Sequence, residues 1–343
     1  MKHWALALGL LGACDALFRL EPIPDPPVDA SVDAAGPRLE PWSTTTPLPV
    51  GRDYNHTHAA FIADTLYMIG GVDVTVGAET SVVYRATWAN GTLGAWSTTA
   101  ALPAPRAVGD IVTIGTRIYV VGGANGTTAR SSVYVSDAAT GDITSWVTTT
   151  PMPTPLKAHA AVADAGNLYV LGGGDVNNTR QSSVLQAPVL ANGALGMWQQ
   201  GPPLPGARGD LAGVAARGFL YAIGGDDDLG QVHAEVYYAA VDQSTGALGP
   251  WSTTTSLPTV NTAFVAVTDS NYIYVIGGDG FSPGAQVLYS RIGADGTLGP
   301  WEQNTALLHA RTRHAGVLAN GRLFVLGGDP ALDSVETTSQ MPL

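Results

Sequence analysis

The chain has one cysteine, Cys14, in 343 residues. This excludes an internal disulfide framework and any multi-cysteine metal site in the folded body. Charge is scarce as well, at 13% of residues, with 16 Lys and Arg against 28 Asp and Glu for a net −12. No Lys/Arg run of the kind that tracks a phosphate backbone occurs, so nucleic acid is not an expected partner. The acidity would also repel anionic lipid surfaces. The apolar run Trp4 to Leu11 is too short for the roughly 20 residues that a bilayer-spanning helix needs. No glycine-rich phosphate loop and no zinc-type two-residue ligand spacing is present, so neither a cofactor nor a metal is expected.

What the chain does have is 45% hydrophobic residues, 42 Gly, 23 Pro and abundant Thr and Val, a composition of strands and tight turns. At the N-terminus, Lys2 followed by Trp4 to Leu11 reads as a signal peptide. Leu11-Gly12-Ala13-Cys14 resembles the lipobox of bacterial lipoproteins, which implies cleavage after residue 13 and lipidation of Cys14. Residues 14–40, rich in Pro, Asp and Ala, then form a semi-extended tether, since Pro-rich linkers reach about 3.1 Å per residue. The expected organisation is a signal peptide over 1–13, a lipidated tether over 14–40 and a folded body over 41–343.

Two landmarks recur in that body. Gly-Gly pairs stand at 70, 122, 172, 224, 277 and 327, each after an apolar strand such as Ile118-Tyr119-Val120-Val121. Tryptophans stand at 42, 96, 146, 198, 251 and 301. A unit of about fifty residues with these landmarks resembles the kelch repeat, each copy of which is one four-stranded propeller blade. The resemblance runs from about Pro41 to the C-terminus and implies an all-β, six-bladed propeller.

Within a unit, an inner strand A of small residues, such as His314-Ala315-Gly316, follows a proline-containing crossing. The Gly-Gly strand is B. Strand C carries Ser81-Val82-Val83-Tyr84 and its counterparts, and turns such as Asn90-Gly91 and Asp295-Gly296 lead to strand D with the Trp. The Trp42 segment has no A, B or C strand before it, and the last unit ends without a Trp strand. Residues 41–46 are therefore expected to supply strand D of the last blade and close the ring, which removes an exposed edge.

The D-to-A crossings and the variable B-to-C loops should share one face, where binding sites on rigid scaffolds concentrate. Arg106, Arg208 and Arg311 sit at one offset from the Gly-Gly pairs of alternate blades, with Arg52 close to this position in the first blade. They form either an anion clamp or pairs with carboxylates and carbonyls inside the repeat. His58, His159 and His314, with Asp110 and Asp210, complete the candidate ligand-binding set; each alone also suits a strand-start residue that caps backbone groups. Asp226-Asp227-Asp228 could hold calcium or simply form turns. No catalytic residue is assigned.

Galactose-oxidase-like copper chemistry needs a Cys-Tyr crosslink, which the lone Cys14 excludes. The expected function is a recognition or scaffold propeller at the cell surface or in the periplasm, a monomer held by its lipid anchor. It would bind protein or carbohydrate on the B-to-C loop face. The alternative is a periplasmic sugar-acid-processing enzyme resembling N-acetylneuraminate epimerase. Propellers host many unrelated functions, so the fold alone does not choose between them.

Overall fold

The computed structural model describes residues 36–53, 59–280, 282–330 and 332–340. The expected signal peptide, Cys14, nearly all of the expected tether, and His58 lie outside the described residues. The described chain is all β, and it contains no helix long and apolar enough to cross a membrane.

Six antiparallel blades are present. Their inner strands are Ala59–Ile62, Asp110–Ile114, Ala160–Asp164, Ala212–Ala216, Val265–Thr268 and Ala315–Ala319. Each inner strand contacts the next in this order, and Ala315–Ala319 returns to Ala59–Ile62. The second blade is typical: Asp110–Ile114 pairs with Arg117–Val121, that strand with Val133–Asp137, and that with Val147–Thr149.

The last blade takes its outer strand from the N-terminal side, as the strand count requires. Ser43 pairs with Thr337 and Thr44 with Glu336, while Leu39 bridges to Gln340.

The core lies between blades. Six clusters of buried apolar side chains each join two neighbouring sheets; one packs Leu39 and Trp42 against Tyr272, Tyr274, Leu323 and Val325. Large apolar residues on both faces of every sheet account for this, since neither face of a blade meets water over its full width.

Two hydrogen bonds recur at every blade junction and explain both sequence landmarks. Each landmark tryptophan donates its indole N–H to a carbonyl just after the outer strand of the preceding blade. Trp42 reaches Thr305 at 2.9 Å, Trp96 reaches Thr46 at 3.0 Å, and Trp146, Trp198, Trp251 and Trp301 reach Ala100, Thr150, Pro202 and Thr255. A buried indole needs such an acceptor.

The second recurring bond runs from the second glycine of each pair to a crossing carbonyl of the next blade. Gly71 donates to Arg106, Gly123 to Leu156, Gly173 to Arg208, Gly225 to Asn261, Gly278 to Arg311 and Gly328 to Arg52, all at 2.8–2.9 Å. The approach leaves no room for a side chain: at Gly172, with φ +60°, a Cβ would lie 2.5 Å from the Arg208 carbonyl oxygen.

Candidate functional site

The crossings and the B-to-C loops do share a face. Crossing residues bridge to the residues just after the Gly-Gly pairs, as in Ala107 with Ala124, Lys157 with Gly174, Gly209 with Asp226 and Thr312 with Asp329.

On this face, the residue two positions after the repeat-arginine position, which Leu156 and Asn261 fill in two blades, forms part of a ring around the axis in five described blades. Val108, Ala158, Asp210, Ala263 and Arg313 all have φ between +49° and +56°. The first four each hand a carbonyl to the next backbone N–H: Ala158 donates to Val108 at 2.7 Å, Asp210 to Ala158 at 2.8 Å, Ala263 to Asp210 at 3.0 Å and Arg313 to Ala263 at 2.8 Å. Left-handed backbone at a β-branched residue such as Val108 is costly, of order 1–3 kcal/mol, and residues held this way cluster at binding sites. The hydrogen-bonded ring holds them there.

The five ring residues line a cavity of about 300 Å³ together with Lys157, Asn178, Arg180, Asp226, Thr262 and Asp279. Both signs of charge line it: Lys157 and Arg180 from the third blade and Arg313 from the sixth, against Asp210, Asp226 and Asp279 from the fourth and fifth. The Arg180 guanidinium bonds Asp226 at 2.8 and 2.9 Å and Asp210 at 3.1 Å, and its backbone N–H donates to Asp228 at 2.7 Å. Burial opposes the charge on Arg180, but Asp226, Asp210 and Asp228 together outweigh it and raise its pKa. Burial, with repulsion from Asp210, raises the pKa of the Asp226 carboxyl against the pull of Arg180. The network ties the B-to-C loop of the third blade to the fourth, and Asp210 is thus held at the cavity wall.

A second cavity, of about 250 Å³, follows the axis and is walled by small and apolar residues from all six inner strands. Its buried acid is Asp110, which accepts the Ile111 and Ala161 N–H groups at 2.7 and 2.6 Å. Burial drives the Asp110 pKa well above the ordinary carboxylate value, against the pull of those two N–H donors. Asp110 and Asp210 therefore belong to different cavities.

The three arginines do not meet at the mouth. Arg106, Arg208 and Arg311 are buried, each guanidinium engaged inside its own blade. Arg106 bonds Ser132 Oγ at 2.5 Å and the Tyr134 hydroxyl at 2.8 Å, and it lies over the Tyr134 ring. Arg208 bonds the Tyr237 hydroxyl at 3.2 Å and Glu235 at 3.5 Å. Arg311 pairs with the fully buried Glu336. Of the two readings offered for this position, the geometry is that of pairing within the repeat.

His159 and His314 are also buried. Their rings pack against Gly122 and Gly277 of the neighbouring blades, where a Cβ would come within 2.8 and 2.7 Å of the His Cε1 atoms. No group of three or more His, Cys, Asp or Glu residues that could hold a metal occurs among the described residues.

Sequence reasoning missed Lys157, Arg180 and Arg313. The offset that marks the arginines also marks the ring two residues later, but Val, Ala and Arg at those positions carry no signature of left-handed backbone.

The solved structure titled "Structure of YjhT" superposes with a TM-score of 0.67 at 17% identity, over 87% of this chain and 97% of that one. At that identity the likeness is one of fold. No curated protein sequence matches the chain. The profile of the KLHDC2/KLHL20/DRC7 Kelch-repeats domain matches residues 55–278, and with the blade junctions described above, the chain belongs to this family of kelch-repeat domains.

Proposed function

We propose that the protein is an exported recognition propeller, anchored through a lipid on Cys14, that binds a glycan or protein at the mouth of its axis on the B-to-C loop face. The observation that carries the reading is the cavity that Lys157, Arg180 and Arg313 line together with Asp210, Asp226 and Asp279. Fixed donors and acceptors on a strained, hydrogen-bonded ring suit orientation of a polar ligand. The exposed apolar tips Val176 and Leu229 in the adjoining loops would extend the contact beyond the cavity.

The test is binding of the full-length chain to an array of neutral and acidic glycans, repeated with Lys157→Gln and Arg313→Gln. Binding that both variants weaken supports the reading; binding that neither variant changes, or none at all, contradicts it. Chemical conversion of a bound sugar acid, followed by NMR in the same samples, would favour the enzymatic alternative.

A further inference from the structure

Four arginines occupy the buried repeat position, and three of them face a carboxylate. Arg52 lies 3.4 Å from Asp73, Arg208 lies 3.5 Å from Glu235, and Arg311 pairs with Glu336. Arg106 differs. Its guanidinium bonds only neutral oxygens, those of Ser132, Tyr134 and Pro105.

The charged neighbour that acts on Arg106 is a second arginine. Burial lowers the Arg106 pKa; Tyr134 opposes this, and repulsion from Arg130 adds to it. The Arg130 side chain makes no hydrogen bond or ion pair with the described residues, and its Nε–H is buried without an acceptor. In a chain of net charge −12, two uncompensated cations side by side are costly unless an anion joins them.

Both arginines line an open pocket of about 360 Å³ on the B-to-C loop face, together with Ala104, Asn125, Ser131 and Ser132. The lining offers two guanidinium groups, two hydroxyls and one carboxamide, with no carboxylate. Ser132 Oγ already accepts from Arg106, so its own hydrogen is available to donate elsewhere. The Arg130 fork, with short hydroxyl donors beside it, matches the oxygens of a tetrahedral oxyanion, and Arg106, whose Nη2 hydrogens are both taken by Ser132 and Tyr134, adds its charge. The cavity belongs to the second blade and its preceding crossing, and none of its residues lines the mouth cavity.

We propose that Arg106 and Arg130, with Ser131, Ser132 and Asn125, form an oxyanion-binding subsite for a phosphate or sulfate group. Arg106 is fixed by Tyr134 and Ser132 and supplies a preset charge, while Arg130 closes on the bound group. A phosphorylated or sulfated ligand that spans the face would then engage this pocket.

The test is the thermal midpoint of the full-length chain against inorganic phosphate and, separately, inorganic sulfate, at constant ionic strength held with NaCl. An anion that binds only the folded state raises the midpoint in a saturable way. Arg130→Gln removes a side chain that holds nothing in the fold, so it should fold normally. It should weaken binding by about tenfold or more, the equivalent of one hydrogen bond to a charged group.

Arg217→Gln, which changes an exposed arginine outside the pocket, should leave the response intact. A response to phosphate alone or sulfate alone identifies the group taken. No saturable shift with either anion, a full response in Arg130→Gln, or an equal loss in Arg217→Gln overturns the proposal.

Discussion

The indole Nε1 of Trp42 donates a 2.9 Å hydrogen bond to the carbonyl of Thr305, 263 positions further along the chain. This is the same bond that Trp96 makes to Thr46 and Trp146 makes to Ala100, but here it joins the two ends of the folded body. Trp42 is 5% exposed. Trp42→Ala should therefore cost about 3–5 kcal/mol, the range for loss of a buried large aromatic. Deletion of residues 38–46 should abolish cooperative unfolding or lower its midpoint sharply. Calorimetry checks both, and an unchanged midpoint in the deletion would show that the ring does not depend on this strand.

Arg311 and Glu336 are each fully buried, and Glu336 also accepts from the Leu308 N–H and contacts His309. Glu336→Leu leaves a buried guanidinium without its countercharge and should cost about 3–5 kcal/mol. The third blade shows what the pair replaces. Its crossing residue is Leu156 and its second strand-C residue is Leu185, both buried. The double variant Arg311→Leu with Glu336→Leu should recover most of the loss in denaturant unfolding. If the double variant is as unstable as the single, the pair is not exchangeable for the apolar one.

Much of the architecture was legible because it repeats. The tryptophans and Gly-Gly pairs each make one bond at every junction, so six copies must keep them. The roles of the arginines were harder to read. Tyr84, which lies under the Arg52 guanidinium, and the partners Tyr134, Tyr237 and Glu336 all stand second in strand C, where the blades without the arginine carry Leu185 and Leu288. That correspondence appears only once strand register is known. In the register set by strand C, Arg180 aligns with Glu79, Ala129 and Val232 and with no other arginine, and the left-handed ring at Val108 and Ala158 depends on hydrogen bonds between crossings far apart in sequence. Periodicity therefore could not reveal either.

Asp110 gives the stability a defined pH dependence. Folding raises its pKa above the ordinary 3.8, so the folded state binds its proton more tightly than the unfolded chain does. Its contribution is complete below that value and is lost as the pH climbs through the folded value. Relative to Asp110→Asn, which does not titrate, the wild type should lose stability as pH rises above about 4. Urea unfolding of both proteins from pH 4 to 8 checks this, and parallel curves would contradict it.

The proposed lipid anchor predicts a change of compartment and not of fold. Cys14→Ser should move the chain from the membrane to the soluble fraction with its unfolding midpoint unchanged. Retention at the membrane would point to another means of attachment.

The mouth of the B-to-C loop face is the place proposed here for this propeller to meet its ligand. Hydrogen–deuterium exchange of the full-length chain, with and without a glycan that binds on the array, tests it directly. Protection should concentrate at Lys157, at residues 178–180, and at Asp210 and Asp226, with the turns at Gly141, Gly246 and Gly296 unchanged. Protection confined to those turns, with no change at Lys157 or Asp210, would contradict it.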